Sequence, residues 1–402
     1  MQFVNNLKNK KILIGICGSV AIYKICEVIR RLKKEKAKIK VILTSGAEKF
    51  ISPILFSTLA EEKAYTDKDY FRLNDIYTEL SKFPELILVL PATASFLSKL
   101  ASGKADELLL TVALFSKVPV YIFPAMNAAM WEHPTTQENI KILKNYGYFI
   151  YEPEEGELAC KDVGKGRLPE PEEIVEVVKA HFTPKTFLNK KILITGGPTR
   201  EYIDDVRFIT NASSGKMAFY LTKEAYYRGA EVHLIWGLDE FPYTLPKLNF
   251  FGDIPYPKIY FVKTTKEMFE IAYKLFPSCD ISIFSAAPCD FRPKKTYRGK
   301  IKKQKNFILE LELTEDIAKT LTDMKKNNQI TIGFALEEKE KIYKYALQKK
   351  KEKNFDYLIA NPVTAMRAES SEFLFYTPNK VLKFENITKE ELAKIVFNEI
   401  HF

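Results

Sequence analysis

Two asparagines and one cysteine stand where chemistry is easiest to build. Asn127 follows an aliphatic run in "PAMNAAMW" (124–131), and Asn211 lies in "DVRFITNASSGKMAF" (205–219). Cys160 sits in the glycine-rich, charged stretch "GELACKDVGKGRL" (156–168), beside Glu157, Lys161 and Asp162. An amide placed directly after a strand sits where ligands gather in open α/β sheets. A thiol among charges on a loop can give or take a proton. A lone amide or thiol is more often turn chemistry or a small buried hydrophobe, so the surrounding elements decide.

Those elements alternate strand and helix. Strands are expected at Ile12–Ile16, Ile39–Leu43, Leu86–Leu90 and Val118–Phe123, with Ile22, Ile25, Cys26, Ile29 and Leu32 at helical spacing after the first. This is the pattern of a parallel sheet covered on both faces. The letters NKKILI occur at residues 9–14 and again at 189–194, so a second unit opens there. The fold class is α/β with two Rossmann-like domains: 1–182, a linker at 183–190, and 191–402. The second domain expects a helix at about Gly215–Arg228, strands at Lys191–Thr195, Glu231–Trp236, Lys258–Val262, Asp280–Phe284, Ile330–Phe334 and Asp356–Ile359, a hairpin of Phe373–Tyr376 with Val381–Phe384, and a last helix Lys389–Ile400.

In such sheets ligands gather at the carboxyl ends of the strands. The first half places Gly18-Ser19, Thr44-Ser45, Pro91-Ala92-Thr93-Ala94 and Pro124–Asn127 there. "GICGSV" is not G-x-G-x-x-G, and Lys216 completes no P-loop because Thr210 and Met217 occupy the required Gly and Ser/Thr positions.

Composition narrows the classes. Of 402 residues, 46% are hydrophobic and 28% charged, the balance of a globular chain with real cores. No 18-residue apolar run exists, so no membrane span is expected, and MQFVNNLKNKK lacks the h-region of a signal peptide. Five cysteines without C-x-x-C point to a reducing cytoplasm. The net charge of +10 comes without a nucleic-acid-binding signature, so no nucleic acid is expected. Lysines that meet small phosphorylated ligands fit better.

GSVAIYK, PATA, GKADEL (103–108), PAMNAAMW and ACKDVGKGR together resemble the flavin-dependent cysteine decarboxylases. GGPTRE, VRFITNASSGKM, AAPCDF, KIKK, IGFALE and KKKEKN resemble the synthetase half of the bifunctional phosphopantothenoylcysteine synthetase/decarboxylase family of coenzyme A biosynthesis. The combined likeness spans nearly the whole chain. For the first half it implies FMN held at Gly18, Ser19, Thr44, Thr93 and Asp106, a substrate carboxylate on Asn127, and Cys160 as proton donor on a flap.

For the second half the resemblance implies amide synthesis from 4′-phosphopantothenate, cysteine and CTP with Mg²⁺, through an acyl-cytidylate. Asn211 would bind that intermediate and Arg207 would help place it. Phe284, Ser285, Ala286 and Asp290 would line the cytidine side. Lys300 would promote the second half-reaction. Glu315, Asp316, Ile317, Ala318 and Phe334 would complete the nucleotide pocket, with Lys349 and Lys353 on the phosphates. The metal ligands are left open. The family further implies a homo-oligomer of flavin-domain trimers and ligase-domain dimers, up to a dodecamer.

One position departs from the family. Tyr77-Thr78-Glu79-Leu80 stands where the family has a catalytic histidine, and Tyr ionises near ~10 against ~6.5 for His. His133, His181, His233 and His401 lie elsewhere. Either Tyr77 substitutes, another group does, or decarboxylation is weak. Pro288-Cys289 also replaces the family's alanine-rich stretch before Asp290. The rival readings are a ligase with a feebly active flavin domain, a basic nucleic-acid binder, and a nicotinamide dehydrogenase without its glycine fingerprint.

Overall fold

The computed structural model describes residues 7–72, 75–157, 162–248, 254–303, 306–338, 340–366, 368 and 370–401. The chain forms two units. The first comprises Met1–Thr183 with Leu245–Phe250; the second comprises Pro184–Thr244 with Phe251–Phe402.

The first unit is built on strands β1 (Lys11–Ile16), β2 (Lys38–Leu43), β3 (Ala64–Thr66), β4 (Leu86–Ala92), β5 (Val120–Pro124) and β6 (Phe149–Ile150). All pair in parallel, in the order β3-β2-β1-β4-β5-β6. The order reverses between β1 and β4, which opens a crevice at their carboxyl ends. β1 is buried at every residue after Lys11, because helices cover both faces. The helix Tyr23–Lys34 buries Ile25, Val28, Ile29 and Leu32 on one stripe. Beyond the sheet, β7 (Glu154–Glu157) and β8 (Val163–Arg167) form an antiparallel hairpin. The sequence reads 156–168 as a loop. Pairing of Gly156 with Gly164 lets the backbones meet without side-chain periodicity, so alternation could not flag it.

The second unit carries β9 (Lys191–Gly196), β10 (Arg200–Tyr202), β11 (Phe208–Thr210), β12 (Glu231–Trp236), β13 (Lys258–Phe261), β14 (Ile281–Phe284), β15 (Phe291–Pro293), β16 (Leu311–Leu313), β17 (Ile330–Glu337), β18 (Tyr357–Pro362), β19 (Ser370–Tyr376) and β20 (Val381–Thr388). Its main sheet runs β13-β12-β9-β14-β17-β18-β19-β20. It is parallel as far as β18 and antiparallel through β19 and β20, the last two with a register shift between Ser371 and Phe373. The short ladders β10–β11 and β15–β16 stand apart from it.

The helix Lys216–Tyr227 starts from Gly215 at φ +70, in the left-handed region. A Cβ there would lie 2.2 Å from the buried Trp236 ring. Gly215→Ala is therefore expected to destabilise the chain by roughly 1–3 kcal/mol, read as a lower thermal midpoint. An unchanged midpoint would contradict the packing.

Candidate functional site

In the first unit three strand ends carry a hydroxyl or amide that closes a helix. The Ser19 hydroxyl accepts from Ala21 N–H (3.4 Å) and Thr93 from Phe96 N–H (3.3 Å). The Asn127 carbonyl accepts from Ala129 N–H (2.8 Å). Each is an N-cap at a sheet margin, leaving further helix N–H groups for an anion. Thr44, nearly buried, donates to Ile16 O (3.3 Å) and accepts from Ala47 N–H (3.3 Å), pinning the end of β2 to that of β1. Gly18 lies so close to Gly46 that a Cβ would be 2.7 Å from its carbonyl. The crevice is thus lined by bare backbone. Small residues, free N–H groups and hydroxyls form a cradle that fits a planar ring with a phosphate tail.

Ser19 and Asn127 share an open pocket of about 650 Å³ with Tyr23, Lys24, Met126, Glu157 and Arg167. Lys24, 8% exposed, donates to Leu168 O and Glu170 (both 2.8 Å), anchoring the chain beyond β8. Met126 N–H donates to Gly166 O (3.1 Å), and Asn127 Nδ2 donates to Asp162 (3.1 Å). The hairpin therefore lies against the end of β5. Cys160 lies outside the described residues. Asp106 is half-exposed and pairs with Lys99 at 3.5 Å. Burial pushes the Cys17 thiol, at the end of β1, up to about 12, so it stays protonated.

Tyr77 does not line this pocket. Its ring meets Tyr70 and Phe115 edge-on, with centroids at 6.2 and 5.7 Å, against the core. That the residue in the histidine position packs edge-on between two aromatic rings is not legible in the sequence, because Phe115 lies 38 residues further along the chain.

In the second unit Asn211 Nδ2 donates to Ala287 O (3.2 Å) and Pro288 O (2.9 Å), clasping the turn that ends β14. Ser285 donates to Thr195 O (2.7 Å), and Ala287 N–H to Gly197 O (2.9 Å), so the ends of β9 and β14 are laced together. Beneath them a buried network that sequence reading missed holds the turn: Thr199 meets Thr265 at 2.8 Å and accepts from Cys289 N–H at 2.9 Å. Phe284 is buried and packs on Phe355, so its side chain belongs to the core. Ala286 is partly buried and Asp290 is exposed.

Thr314 N–H donates to Asp290 O (3.0 Å), which brings Glu315 and Asp316 to the same margin. Glu315 takes a forked pair from Arg292 (3.1 and 3.3 Å). Asp316 caps the helix Ile317–Asp323 and binds Lys353 at 2.8 Å. Ile317 is buried and Ala318 half-buried on that helix, and Phe334 is half-buried on β17. Burial opposes the Asp316 charge, but Lys353 and Lys319 N–H hold its carboxyl below the ordinary range. Lys349 is pushed below its ordinary value by burial and then by Lys353; Glu337, Asp290 and Asp316 oppose the shift. Two lysines and two acids thus converge where β14 and β17 end.

Arg207 and Lys300 sit on a second pair of loops. Arg207 binds Asp204 through Nε (3.0 Å) and Nη2, and Nη2 also donates to Ile301 O (3.0 Å). Lys300 is exposed beside it. Among the described residues no group of three or more His, Cys, Asp or Glu side chains could hold a metal ion.

Residues 3–183 match the flavoprotein family, and residues 187–402 match the DNA/pantothenate metabolism flavoprotein C-terminal domain. The chain is 37% identical to the coenzyme A biosynthesis bifunctional protein CoaBC of Borreliella burgdorferi, over 98% of this chain and all of that one. It is 41% identical to the CoaBC protein of Bacillus subtilis, over 89% and 87% of the two chains. A cysteine/cysteine sulfinic acid decarboxylase from an unknown prokaryotic organism is 40% identical, over 87% of this chain and 98% of that one. The first unit is a flavoprotein unit, and two complete α/β units in this order, matched along nearly the whole chain, place it in the family of bifunctional CoaBC proteins of coenzyme A biosynthesis.

Proposed function

We propose that the second unit joins 4′-phosphopantothenate to cysteine at the expense of CTP, and that the first decarboxylates the product to 4′-phosphopantetheine with FMN. The observation that supports this most directly is the pair of asparagines, each placed by a strand margin with its amide aimed at acceptors. In the ligation, a carboxylate oxygen bonds to the α-phosphorus of CTP and pyrophosphate leaves with the electron pair. The cysteine amine then bonds to the acyl carbon, CMP leaves, and the amine proton passes to solvent. Activation is needed because a free carboxylate is a poor acyl donor. Asn211 holds the acyl nucleotide, Arg207 orients it, and Lys300 stabilises the departing phosphate. Lys349 and Lys353 meet the triphosphate, whose charge a bound Mg²⁺ would help to offset. Ser285, Ala286 and Asp290 border the base with the backbone of Phe284; Glu315 to Ala318 and Phe334 close the pocket.

In the first unit FMN is held by the turns at Gly18, Ser19, Thr44, Thr93 and Asp106. When bound it would supply reversible two-electron redox chemistry, so that the net reaction loses only CO₂. Asn127 donates to the substrate carboxylate, and Cys160 delivers a proton to carbon. The chain works as a homo-oligomer in the cytoplasm, with trimeric flavin units and dimeric ligase units.

The test is incubation with CTP, Mg²⁺, 4′-phosphopantothenate and cysteine, with products identified by mass. 4′-Phosphopantetheine, CMP and pyrophosphate are expected; no pyrophosphate would overturn the ligase. A second reading, ligation without efficient decarboxylation, is favoured by the packing of Tyr77 against Tyr70 and Phe115. It requires phosphopantothenoylcysteine to accumulate.

The Lys349 environment adds a pH prediction. Its folded pKa is lowered, so the ammonium is lost at a lower pH than a free lysine would lose it. Triphosphate binding favours the charged form and takes up a proton wherever Lys349 is partly neutral. CTP affinity is expected to fall as pH rises through that depressed value, with heats of binding that differ between buffers of different ionisation enthalpy. Affinity that is flat with pH, with no buffer effect, would contradict it.

A further inference from the structure

We infer that Asp204 and Asp205 are positioning residues for Lys300, holding the residues on either side of it, Gly299 and Ile301, by backbone hydrogen bonds. The inference rests on the ligase reading of the second unit. Asp205 accepts from Gly299 N–H at 2.8 Å, and Asp204 Oδ2 accepts from Ile301 N–H at 3.0 Å. Lys300 lies between these two anchored residues. Gly299 is in the left-handed region at φ +70, so the chain turns sharply just before the lysine. Two further bonds, Tyr297 N–H to Ile203 O (3.0 Å) and Thr296 hydroxyl to Tyr202 O (3.3 Å), tie the approach to this turn onto the same partner loop.

Asp204 does more than pin one peptide. It is 0% exposed, and Oδ1 accepts from Val206 N–H (2.9 Å) and Arg207 N–H (2.8 Å). Its Oδ2 is shared by Arg207 Nε (3.0 Å) and Ile301 N–H. Arg207 in turn donates to Ile301 O (3.0 Å). One carboxylate therefore registers Arg207 and the lysine loop against each other. The Arg207 guanidinium first, and then these N–H donors against the cost of burial, keep the Asp204 carboxyl well below the usual carboxylate range, so the anchor stays charged at any working pH. The side chain of Lys300 remains exposed. A cation on an untethered glycine turn would sample mostly solvent. Held at both neighbouring residues, it can wait where negative charge develops on the leaving phosphate.

The clean test is Asp205, which is exposed, so its removal does not threaten the core. Asp205→Ala and Asp205→Asn in the full chain are assayed in two stages: pyrophosphate release from CTP and 4′-phosphopantothenate without cysteine, then amide formation after cysteine is added. Asp205→Ala is expected to keep pyrophosphate release within about twofold while amide formation slows by about tenfold or more. Asp205→Asn keeps an acceptor oxygen and is expected to recover most of that loss. Asp204→Asn, which also frees Arg207, is expected to slow both stages. A wild-type chain that turns over while Asp205→Ala forms amide at the same rate overturns the inference alone. So does an equal fall of both stages in Asp205→Ala. A wild-type chain that releases no pyrophosphate overturns the ligase reading itself.

Discussion

Asn211→Asp is expected to slow amide formation by about 10²–10³, or roughly 2.7–4 kcal/mol, the usual consequence of losing one preorganised donor. The exchange is nearly isosteric, so it isolates charge from shape. The wild-type amide spans the carbonyls of Ala287 and Pro288 at 3.2 and 2.9 Å. A carboxylate would set a negative oxygen against two carbonyl oxygens at the same distances. The turn carrying Asp290 would lose its clasp, and the anionic acyl nucleotide would meet a like charge. The measurement is cysteine-dependent CMP and amide release, with a thermal melt to show that the fold survives. Rates within threefold of wild type would remove Asn211 from the reaction.

Asn127→Asp should have the second large effect, in the other unit. Aspartate is as good an N-cap as asparagine, so the bond from Ala129 N–H, and the helix Ala128–Glu132 with it, are retained. What disappears is the donor, which now faces Asp162 at 3.1 Å. A substrate carboxylate would meet repulsion instead. CO₂ release is expected to fall by about 10³, while the protein stays yellow and still releases pyrophosphate. Phosphopantothenoylcysteine should then accumulate. If the variant lost its flavin, the residue would be structural; if CO₂ release held, Asn127 would not touch the substrate.

Much of this arrangement is written in local sequence. Aliphatic strands that stop at Gly18, Thr93, Asn127 or Ser285 announce a parallel sheet and its margin, because both signals lie within a few residues. The core role of the Phe284 side chain could not be read that way, since its partner Phe355 arrives from another strand connection. The same holds for Asp204, whose partner Ile301 is 97 residues further along. Lys24 lies on the amphipathic helix Tyr23–Lys34. Only the chain end beyond β8, more than 140 residues away, gives it a buried acceptor. Tyr77 shows the opposite problem: its identity was informative, but its neighbours Tyr70 and Phe115 decided what it does. Function was legible where chemistry is local, and hidden where contacts are long-range.

The eight-stranded sheet of the second unit has two outer rims, β13 and β20. A bare rim offers unpaired peptide groups to any neighbouring chain and invites stacking into fibres. Here Lys258 opens β13 and pairs with Glu231 at 3.3 Å, while Lys383 pairs with Glu385 on β20, where the register shifts opposite Ser371–Phe373. Charge on both rims, with a broken register at β20 alone, makes them poor templates. Such a sheet can be crowded against further copies of itself without fusing rim to rim.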